Sequence, residues 1–577
     1  MLNILLITMK VVMQLLNLLL IGLTIITLTL TTLIIFFLKP LNLAKINKNP
    51  TISILNDKGE TIINYINNHP TTPINIDKIP SKNIDILLFI EDKTFYKHSG
   101  FNIQRIIKTI YKNIINKETH GASTITQQYV KNIYLNNSKT ISRKLKEIYY
   151  SIKIEQLLSK DEILENYLNC IYFGNDIYGL HNASIYYFNK NYQQLSTKEM
   201  IELIALLNAP SYYSNNIKQW NNKKNILSKI LYENQIISYQ EHILTLKDIN
   251  LNINKNIYSP NLLFYCDATL NEFNKLNIKS DFSQTIKIKT KYNNKLNNIN
   301  INTTGNIASI SINKEGYILS CIGDKEYTAF NIALNGKRDI GSTIKPLLYY
   351  EALKCGFSIN KTHLSSPYTF KYKDTFVTIK NYASNYSNKQ INMKTALATS
   401  DNIYAIKTHL EIGTKTLVNH LKKYNITAES IPSLALGSVG MSLYELTRIY
   451  SQFFTEGNYL TLNFIESISI NDKIIYKTKP SSIRLGNPKY FNQIRQIMNG
   501  LFDPTITNAT AKTIGPLLKS KCYGKSGLTD YDSYMIGFND EILIAVWSGH
   551  LNNEPLVSPN IKRLPKEIFL KQINSLY

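Results

Sequence analysis

Cysteine is scarce in this sequence and follows no pattern. The five cysteines are scattered along 577 residues, and none of them belongs to a C-x-x-C pair. A disulfide framework and a structural zinc site both need closely patterned cysteines, so the sequence argues against either feature. The cysteines leave the redox compartment of the protein open.

Acidic residues are few, 41 against 65 Lys and Arg, which gives a formal net charge of +24. Such an excess suggests acidic partners: nucleic acid, anionic lipid or a phosphate-bearing substrate. Lys, Asn, Ile and Tyr are abundant everywhere in the chain, so a general compositional bias explains the charge equally well. The sequence has no compact Arg-rich stripe, and this argues against nucleic acid as a partner.

Long uncharged runs are missing except at residues 11–38, where Leu, Ile, Thr and Phe dominate. A membrane span needs ~20 apolar residues, so this run predicts a transmembrane anchor. A cleaved signal peptide would have a shorter apolar core and a small-residue cleavage site, which favours an uncleaved anchor. Positive charge does not fix the orientation, because Lys10 precedes the run and three lysines follow it closely, Lys39, Lys45 and Lys48.

Internal repeats are also absent, and the periodicity of apolar residues changes once along the chain. Residues 84–231 show helical spacing, whereas 233–300 are irregular and rich in Asn. From residue 307 the pattern favours strands, with a β-hairpin predicted around a Lys-Glu-Gly turn at 314–316. Further strands are predicted at 519–525, 533–538 and 541–548.

These changes predict two catalytic-sized domains behind one anchor. The expected divisions are 1–40 for the cytoplasmic tail and anchor, 41–75 for a connector, 76–232 and 301–577 for the two domains, and 233–300 for a linker.

The first group of candidate site residues begins with Glu91 and Asp92, which follow an apolar helix. A carboxylate at a helix end beside aromatic and glycine-containing turns could be a general base with a raised pKa. The alternative is an ordinary surface acidic pair. A run of hydroxyl and amide side chains follows at the start of the next helix and suits sugar hydroxyls or phosphate oxygens, although helix capping alone would also explain part of it.

A second carboxylate, Glu147, lies four residues after Arg143 on one predicted helix face. This spacing allows an ordinary surface ion pair of a few tenths of a kcal/mol. The functional alternative places a carboxylate and cations beside a diphosphate.

These residues resemble the motifs of the peptidoglycan glycosyltransferases, glycosyltransferase family 51. Five segments match in order over about 130 residues, which makes the resemblance specific. The segments are 91–100, 121–128 with Lys131 and Asn132, 143–147, 163–190 and, loosely, 205–210.

The resemblance implies a mainly α, lysozyme-like glycosyltransferase domain and assigns a role to each residue. Glu91 would be the base that deprotonates the acceptor sugar hydroxyl. Glu147 would help hold the departing lipid diphosphate through a divalent cation, with magnesium expected. Lys131 and Arg143 would pair with phosphate oxygens. The site would be lined by Asp92, Ser123, Thr124, Gln127 and Gln128. The amphipathic stretch 101–115 would lie on the membrane.

A second group of site residues consists of Ser342-x-x-Lys345, Ser400-Asp401-Asn402 and Lys525-Ser526-Gly527. A Ser-x-x-Lys pair puts hydroxyl and amine on one helical turn, where a neutral lysine can activate the serine as a nucleophile. Each motif alone is weak, and a chance match is the default interpretation. Together and in this order they match the set of penicillin-binding proteins and class A β-lactamases.

This region resembles the transpeptidase domain of class A penicillin-binding proteins, an α+β fold with an antiparallel sheet. The resemblance implies that Ser342 is the acyl nucleophile and Lys345 its base, with no cofactor. Ser400 and Asn402 would shuttle protons and orient the peptide, while Lys525 and Ser526 would bind the substrate carboxylate. The backbone N–H groups of Ser342 and Leu528 would form the oxyanion hole.

The sequence departs from the family at Leu528, where the family usually has a threonine, and this puts carboxylate recognition in doubt. Three functions are compatible with these motifs. The first is a bifunctional polymerase and cross-linker, the second is a polymerase whose second domain is a degenerate binding module, and the third is a serine hydrolase or β-lactam-inactivating enzyme. The anchor and the residues between 91 and 190 argue against the third.

The expected partners are lipid-linked peptidoglycan precursor, nascent peptidoglycan, the membrane, β-lactam inhibitors and proteins of a cell-wall synthesis complex. The expected location is the cytoplasmic membrane, with a single pass and both domains outside, because the lipid-linked substrate is presented there.

Overall fold

The structure is a computed structural model of the chain. It describes residues 13–29, 31, 51–66, 69–104, 123–135, 140–254, 257–278, 285–299 and 303–577. These residues form two compact units. Of the described residues, the first unit contains 13–29, 31, 51, those within 64–257, and 285; the second contains 52–63, those within 258–278, and those within 286–577.

The predicted anchor is described only in part. Residues 13–29 form a continuous helix, while 11, 12, 30 and 32–38 lie outside the described residues. Within the described part of the chain, no helix combines the length and the apolar character that crossing a membrane requires.

The first unit is mainly helical, as predicted, and nine of its α-helices are described from end to end between residues 64 and 257. They are α1 (Ser81–Glu91), α2 (Ile125–Tyr134), α3 (Ile141–Glu155), α4 (Lys160–Cys170), α5 (Leu180–Phe188), α6 (Thr197–Leu206), α7 (Pro210–Ser214), α8 (Ile217–Glu233) and α9 (Tyr239–Leu246). Serines begin α4, α6 and α9, each in a capping box with a glutamate three residues later. Such boxes satisfy free N–H groups of the first turn and fix where a helix begins.

The core of this unit forms where the apolar stripes of the helices meet. Ile163, Leu164, Tyr167 and Leu168 recur at helical spacing on α4 and are almost completely buried. Helix α2 packs against both α3 and α4. This contact brings together the ends of helices that carry the first set of predicted site residues.

Short strands lie within the predicted connector, residues 41–75. They are β1 (Thr51–Leu55), β2 (Thr61–Ile66) and β3 (His69–Thr71). Residues 64–66 at the end of β2 pair antiparallel with β3.

The expectation of an irregular linker over 233–300 is not what the structure shows. Helix α9 lies there, followed by α10 (Pro260–Lys275), β4 (Thr285–Thr290) and α11 (Asn294–Asn297). Helix α10 begins at an N-cap serine followed by proline and buries Phe264, Tyr265 and Cys266. Its aromatic stripe packs into the second unit, so the Asn-rich composition hides a structural helix.

A five-stranded antiparallel sheet lies at the centre of the second unit. Its strands are β5 (Asn306–Asn313), β6 (Ile318–Ile322), β17 (Tyr523–Leu528), β18 (Asp532–Phe538) and β19 (Ile542–Gly549), in the order β17-β18-β19-β5-β6. The β5–β6 pair confirms the predicted hairpin. The strand expected at 519–525 begins later, at Tyr523, and continues to Leu528.

Helices cover both faces of this sheet, which explains why β18 and β19 are buried along their whole length. The helices of the second unit that follow β6 are α12 (Ile332–Asn335), α13 (Lys345–Lys354), α14 (Met393–Thr399), α15 (Asn402–Ile412), α16 (Thr414–Lys422), α17 (Leu443–Phe454), α18 (Pro488–Met498) and α19 (Pro559–Asn574). Helix α17 packs on β5 and β19, and α19 packs on β18 and β19. The architecture is α+β with an antiparallel sheet, as predicted.

Shorter strands complete the unit. They are β7 (Arg338–Asp339), β8 (Thr362–Leu364), β9 (Tyr368–Tyr372), β10 (Thr375–Ile379), β11 (Gln390–Asn392), β12 (Gly440–Met441), β13 (Asn458–Leu460), β14 (Ile465–Ile470), β15 (Lys473–Lys477) and β16 (Ser482–Arg484). Strands β15, β14, β4, β1 and β2 are successive neighbours in a further sheet. The pair β9–β10 is an antiparallel hairpin between α13 and α14.

Candidate active sites

Glu91 is the last residue of α1, and its side chain is held by a neighbouring helix. The residue is 8 % exposed, and Gln128 Nε2 donates a hydrogen bond to Glu91 Oε2 at 2.8 Å. Tyr167 Oη in turn donates to Gln128 Oε1 at 3.3 Å. Burial, with the nearby Glu91 carboxylate as a further cause, holds the pKa of Tyr167 well above its usual value. The phenol therefore stays a donor, and it fixes the amide so that its nitrogen faces Glu91.

Asp92 is completely buried and bonds within the protein. Its Oδ2 accepts from His98 Nε2 at 2.8 Å and from the backbone N–H of Ile125 at 3.1 Å. These bonds connect the end of α1 to the first turn of α2. The substrate-binding role expected of Asp92 stays a prediction; in the structure its carboxylate bonds to His98 and to the start of α2.

The hydroxyl and amide run at the start of α2 divides into two groups. Thr124 caps the helix in a capping box with Gln127, and its hydroxyl donates to the Gly100 carbonyl at 2.7 Å. Gln127 Nε2 is buried and has no acceptor among the described residues. Half-buried Ser123 accepts from Lys144 Nζ at 2.7 Å, so this hydroxyl already lies beside a cation.

Glu147 is 1 % exposed and carries two cations. Arg143 Nη1 donates to Glu147 Oε2 at 2.6 Å, and Lys144 Nζ bonds the other oxygen. Arg143 Nε is buried and has no acceptor among the described residues. The side chain of Lys131, in the last turn of α2, is exposed.

Lys144 is not among the site residues predicted from the sequence, although it lies within a matched motif. The i, i+3 spacing to Glu147 was the available signal. The structure adds the bond to Ser123, which only the folded contact between α2 and α3 creates.

In the second unit, Ser342 lies in a 3₁₀ turn, Gly341–Ile344, that runs directly into α13. Ser342 is half-buried, whereas the rest of the turn is buried. A Cβ at Gly437 would lie 1.9 Å from the Gly341 carbonyl oxygen, so only glycine fits there. Tyr450 Oη donates to the Thr343 carbonyl at 2.7 Å. The turn that carries the proposed nucleophile is therefore held rigidly from two sides.

Lys345, the first residue of α13, is completely buried. Its Nζ donates to the carbonyls of Ser400 and Asp401 at 2.7 and 3.2 Å and to Asn402 Oδ1 at 2.9 Å. Burial lowers the pKa of Lys345 from 10.5 to about 7, and the nearby Asp401 carboxylate opposes part of that shift. A substantial neutral fraction at neutral pH makes this lysine suitable as a general base.

Ser400 lies at the end of α14 in the left-handed region, with φ of 60°. Its Oγ lies 2.9 Å from Lys525 Nζ and 3.5 Å from Lys345 Nζ. Lys525 is completely buried, and burial together with the nearby charge of Lys345 holds its pKa well below the ordinary value. One hydroxyl thus bridges two buried amines, an arrangement that can pass protons.

Strand β17 forms the edge of the sheet and supplies Lys525, Ser526 and Leu528. A Cβ at Gly527 would lie 2.7 Å from Thr343 Cγ2, so this edge packs directly against the turn that carries Ser342. The Leu528 backbone therefore lies close to the nucleophile's turn, while its side chain is half-buried.

Three residues of this site carried no motif signal. Thr510 Oγ1 lies 2.6 Å from Ser526 Oγ, and Asn381 and Ser365 bond the Ser400–Asn402 turn. Each comes from a loop or short strand distant in sequence, so only the fold brings it to the site.

The two units and their sites define a class of protein: an enzyme with a helical glycan-polymerising domain and an α+β penicillin-binding acyl-transfer domain. Residues 58–232 match the family described as Transglycosylase, and 308–534 match the Penicillin binding protein transpeptidase domain.

Curated relatives agree. Penicillin-binding protein 2D of Bacillus subtilis is 33 % identical over 509 residues, which cover 83 % of this chain and 74 % of the relative. Penicillin-binding protein 1B of Buchnera aphidicola from Acyrthosiphon pisum is 28 % identical, with coverage of 83 % and 67 %. The crystal structure of penicillin-binding protein 1A from Haemophilus influenzae has the same fold, with a TM-score of 0.56, 16 % identity and coverage of 91 % and 92 %.

The chain belongs to the class A penicillin-binding proteins, which are bifunctional. It is a peptidoglycan glycosyltransferase and DD-transpeptidase, its second domain binds β-lactams, and its substrate is peptidoglycan.

Proposed function

We propose that Glu91 is the base of glycan polymerisation. The observation that supports this role is the bond from Gln128 Nε2, which orients a nearly buried carboxylate at the end of α1. Glu91 would take the proton of the acceptor sugar hydroxyl while that oxygen attacks the anomeric carbon of the donor, and the lipid diphosphate would leave with the bonding electrons.

Polymerisation of lipid-linked precursor by Glu91→Gln tests this assignment. The amide has the same shape but cannot accept the proton, so we expect a loss of at least ~100-fold. Glu162→Gln is the matched control, because Glu162 is an exposed carboxylate in a capping box. Normal polymerisation by Glu91→Gln would remove Glu91 from this role.

The leaving diphosphate would bind the cations around Glu147. Arg143 and Lys144 already share that carboxylate, and Lys131 is exposed on α2. A diphosphate carries more negative charge than one carboxylate, and charge-assisted bonds to Arg and Lys are strong. When the diphosphate binds, we expect Arg143 and Lys144 to exchange some of their hydrogen bonds to Glu147 for bonds to the phosphate oxygens.

A divalent cation at Glu147 remains a prediction. Among the described residues, no group of three His, Cys, Asp or Glu side chains gathers at one point, and both Glu147 oxygens already accept from cations. This donor set does not fit a resident metal centre, so no step is assigned to a metal. Polymerisation measured with magnesium and after chelation, in wild type and Glu147→Gln, tests the requirement.

In acyl transfer, neutral Lys345 would take the Ser342 proton while Oγ attacks the carbonyl of the penultimate D-alanine. The terminal D-alanine would leave as an amine, protonated through Ser400 and the two lysines around it. A second stem-peptide amine would then attack the acyl-enzyme and free Ser342. Backbone N–H groups of Ser342 and Leu528 would hold the oxyanion, and Ser526 the substrate carboxylate.

The degenerate-domain alternative rested on Leu528. Lys345, Ser400, Asn402 and Lys525 nevertheless meet within hydrogen-bonding distance, and the backbone at 528 keeps its donor. Covalent labelling with fluorescent penicillin, with Ser342→Ala as control, decides the matter: we expect label on the wild type alone, and an unlabelled wild type would favour the alternative.

The membrane anchor is proposed from the sequence of residues 11–38, with both domains outside the cytoplasmic membrane. Its support is the uncharged run and the lipid-linked substrate. We expect the full chain to stay with membranes after an alkaline wash, whereas release of the full chain would contradict the anchor. Association with other cell-wall synthesis proteins also remains a prediction, to be tested by crosslinking in cells.

A further inference from the structure

An asparagine outside the three motifs lies beside the Ser400–Asn402 turn. Asn381 follows β10 and is half-buried. Its Oδ1 accepts from the backbone N–H of Asn402 at 2.8 Å, and its Nδ2 donates to Asp401 Oδ2 at 2.7 Å. One side-chain amide therefore bonds both residues that follow Ser400.

The neighbouring residue fixes the Asn402 side chain. Asn402 Nδ2 donates to the Lys380 carbonyl at 3.1 Å, while Asn402 Oδ1 accepts from Lys345 Nζ at 2.9 Å. The two atoms of a planar amide are rigidly linked, so holding the nitrogen also directs the oxygen. The Lys380 carbonyl and the Asn381 side chain thus orient Asn402 so that its side-chain oxygen, and not its amide nitrogen, faces Lys345 Nζ.

We propose that Asn381 is a positioning residue for acyl transfer, which sets the Ser400–Asn402 turn so that its oxygens hold Lys345. The proposal rests on the proposed roles of Ser342 and Lys345. Asn381 acts through Asn402 and Asp401, since the hydrogen bonds of its side chain within the described residues reach neither Ser342 nor Lys345 Nζ.

Ser365 provides a matched control. Its Oγ donates to Asp401 Oδ2 at 2.5 Å, the same oxygen that Asn381 bonds. Within the described residues, Ser365 makes no hydrogen bond to Asn402. Ser365→Ala therefore removes one bond to Asp401 and the acceptor of the Ser387 backbone N–H at 3.4 Å, and it leaves both contacts of the Asn402 amide and backbone in place.

The first test compares acylation by fluorescent penicillin in Asn381→Ala and Ser365→Ala. Asn381→Ala leaves the Asn402 N–H and the buried Asp401 carboxylate each short of one partner, and it also removes the bond from Asn381 Nδ2 to the Asn385 carbonyl at 3.0 Å. We expect a fall of about 10- to 100-fold in the second-order rate. Ser365→Ala should lose clearly less. Thermal unfolding of each variant checks that the domain stays folded.

Asn381→Asp distinguishes positioning from a purely structural role. The variant keeps the Oδ1 acceptor but sets a second carboxylate against Asp401. Two such carboxylates share one proton at low pH, and the protonated oxygen then donates as the amide did. The titratable groups that interact with Asp401 are Lys345, whose pKa burial lowers to about 7, and the phenol of Tyr349, which is neutral because burial raises its pKa.

We expect the acylation rate of Asn381→Asp, relative to wild type, to rise as the pH falls from about 9 to about 5. The acylation rate of Asn381→Ala relative to wild type should not change over this pH range. Acylation by Asn381→Ala at the wild-type rate, or a deficit of Asn381→Asp that does not change with pH, would overturn the proposal. If Asn381→Ala does not fold, the pH series of Asn381→Asp decides alone. A wild type that takes no label at Ser342 would instead refute the proposed acyl-transfer function.

Discussion

The acylation of Ser342 is predicted to depend on pH through Lys345. The neutral amine is the form that can accept the serine proton, and burial lowers the pKa of Lys345 to about 7. The neutral fraction then rises from about a tenth at pH 6 to about half at pH 7 and about nine-tenths at pH 8. With the ordinary pKa of 10.5, only about one lysine in 3,000 would be neutral at pH 7.

The assay is time-resolved labelling of the full chain by fluorescent penicillin between about pH 5.5 and 8.5, with Ser342→Ala as the blank. Below pH 7 the acylation rate should fall about tenfold per pH unit, and above about pH 8 it should level off. Lys345→Arg stays charged throughout this range, so it should be at least ~100-fold slower and show no step near pH 7.

Two outcomes would refute this reasoning. A rate that is flat between pH 6 and 8 would mean that no group with this pKa limits acylation. A rate that still rises tenfold per unit up to about pH 8.5 would mean that Lys345 keeps an ordinary pKa despite its burial.

Three further predictions concern the other contacts of the two sites. Gln128→Leu removes the hydrogen-bond donor to Glu91 and should slow polymerisation of lipid-linked precursor about tenfold. Gln128→Glu also lacks the amide donor and should be no faster. Wild-type polymerisation by Gln128→Leu would contradict the role of that bond. Lys144→Met removes a cation from the diphosphate site and should raise KM for lipid-linked precursor more than it lowers kcat; an unchanged KM would exclude that contact. Thr510→Val removes the hydroxyl beside Ser526 and should slow penicillin acylation about fivefold, while Thr510→Ser should keep the wild-type rate; equal rates for both variants would contradict a role for the hydroxyl.

Local sequence signals predicted those parts of the fold that depend on local periodicity. The helical spacing of Ile163, Leu164 and Tyr167 predicted the helical unit, and the Lys-Glu-Gly turn predicted the β5–β6 hairpin. The Asn-rich composition of 233–300 predicted an irregular linker, but the structure has helix α10 there. Its start is marked in the sequence by Ser259 followed by Pro260. Strand β17 was placed too early because its register is set by pairing with β18, a contact that is non-local.

Site residues were predictable from the sequence wherever they lie in a short motif whose side chains indicate a catalytic role. Lys345 and Ser400 were recognised in this way, and the structure places them together. The orienting residues were not predictable, because Asn381 and Thr510 are ordinary residues in loops and reach the site only through the packing of distant segments. Asp92 shows the converse: it lies in a motif, yet its carboxylate bonds within the protein.

The central claim is that one chain carries two independent catalytic sites, and analysis of the product made from lipid-linked precursor tests it most directly. We expect wild type to make cross-linked glycan, Ser342→Ala to make glycan without cross-links, and Glu91→Gln to make no polymer. Cross-linked product from Ser342→Ala, or polymer from Glu91→Gln in the wild-type amount, would contradict the account.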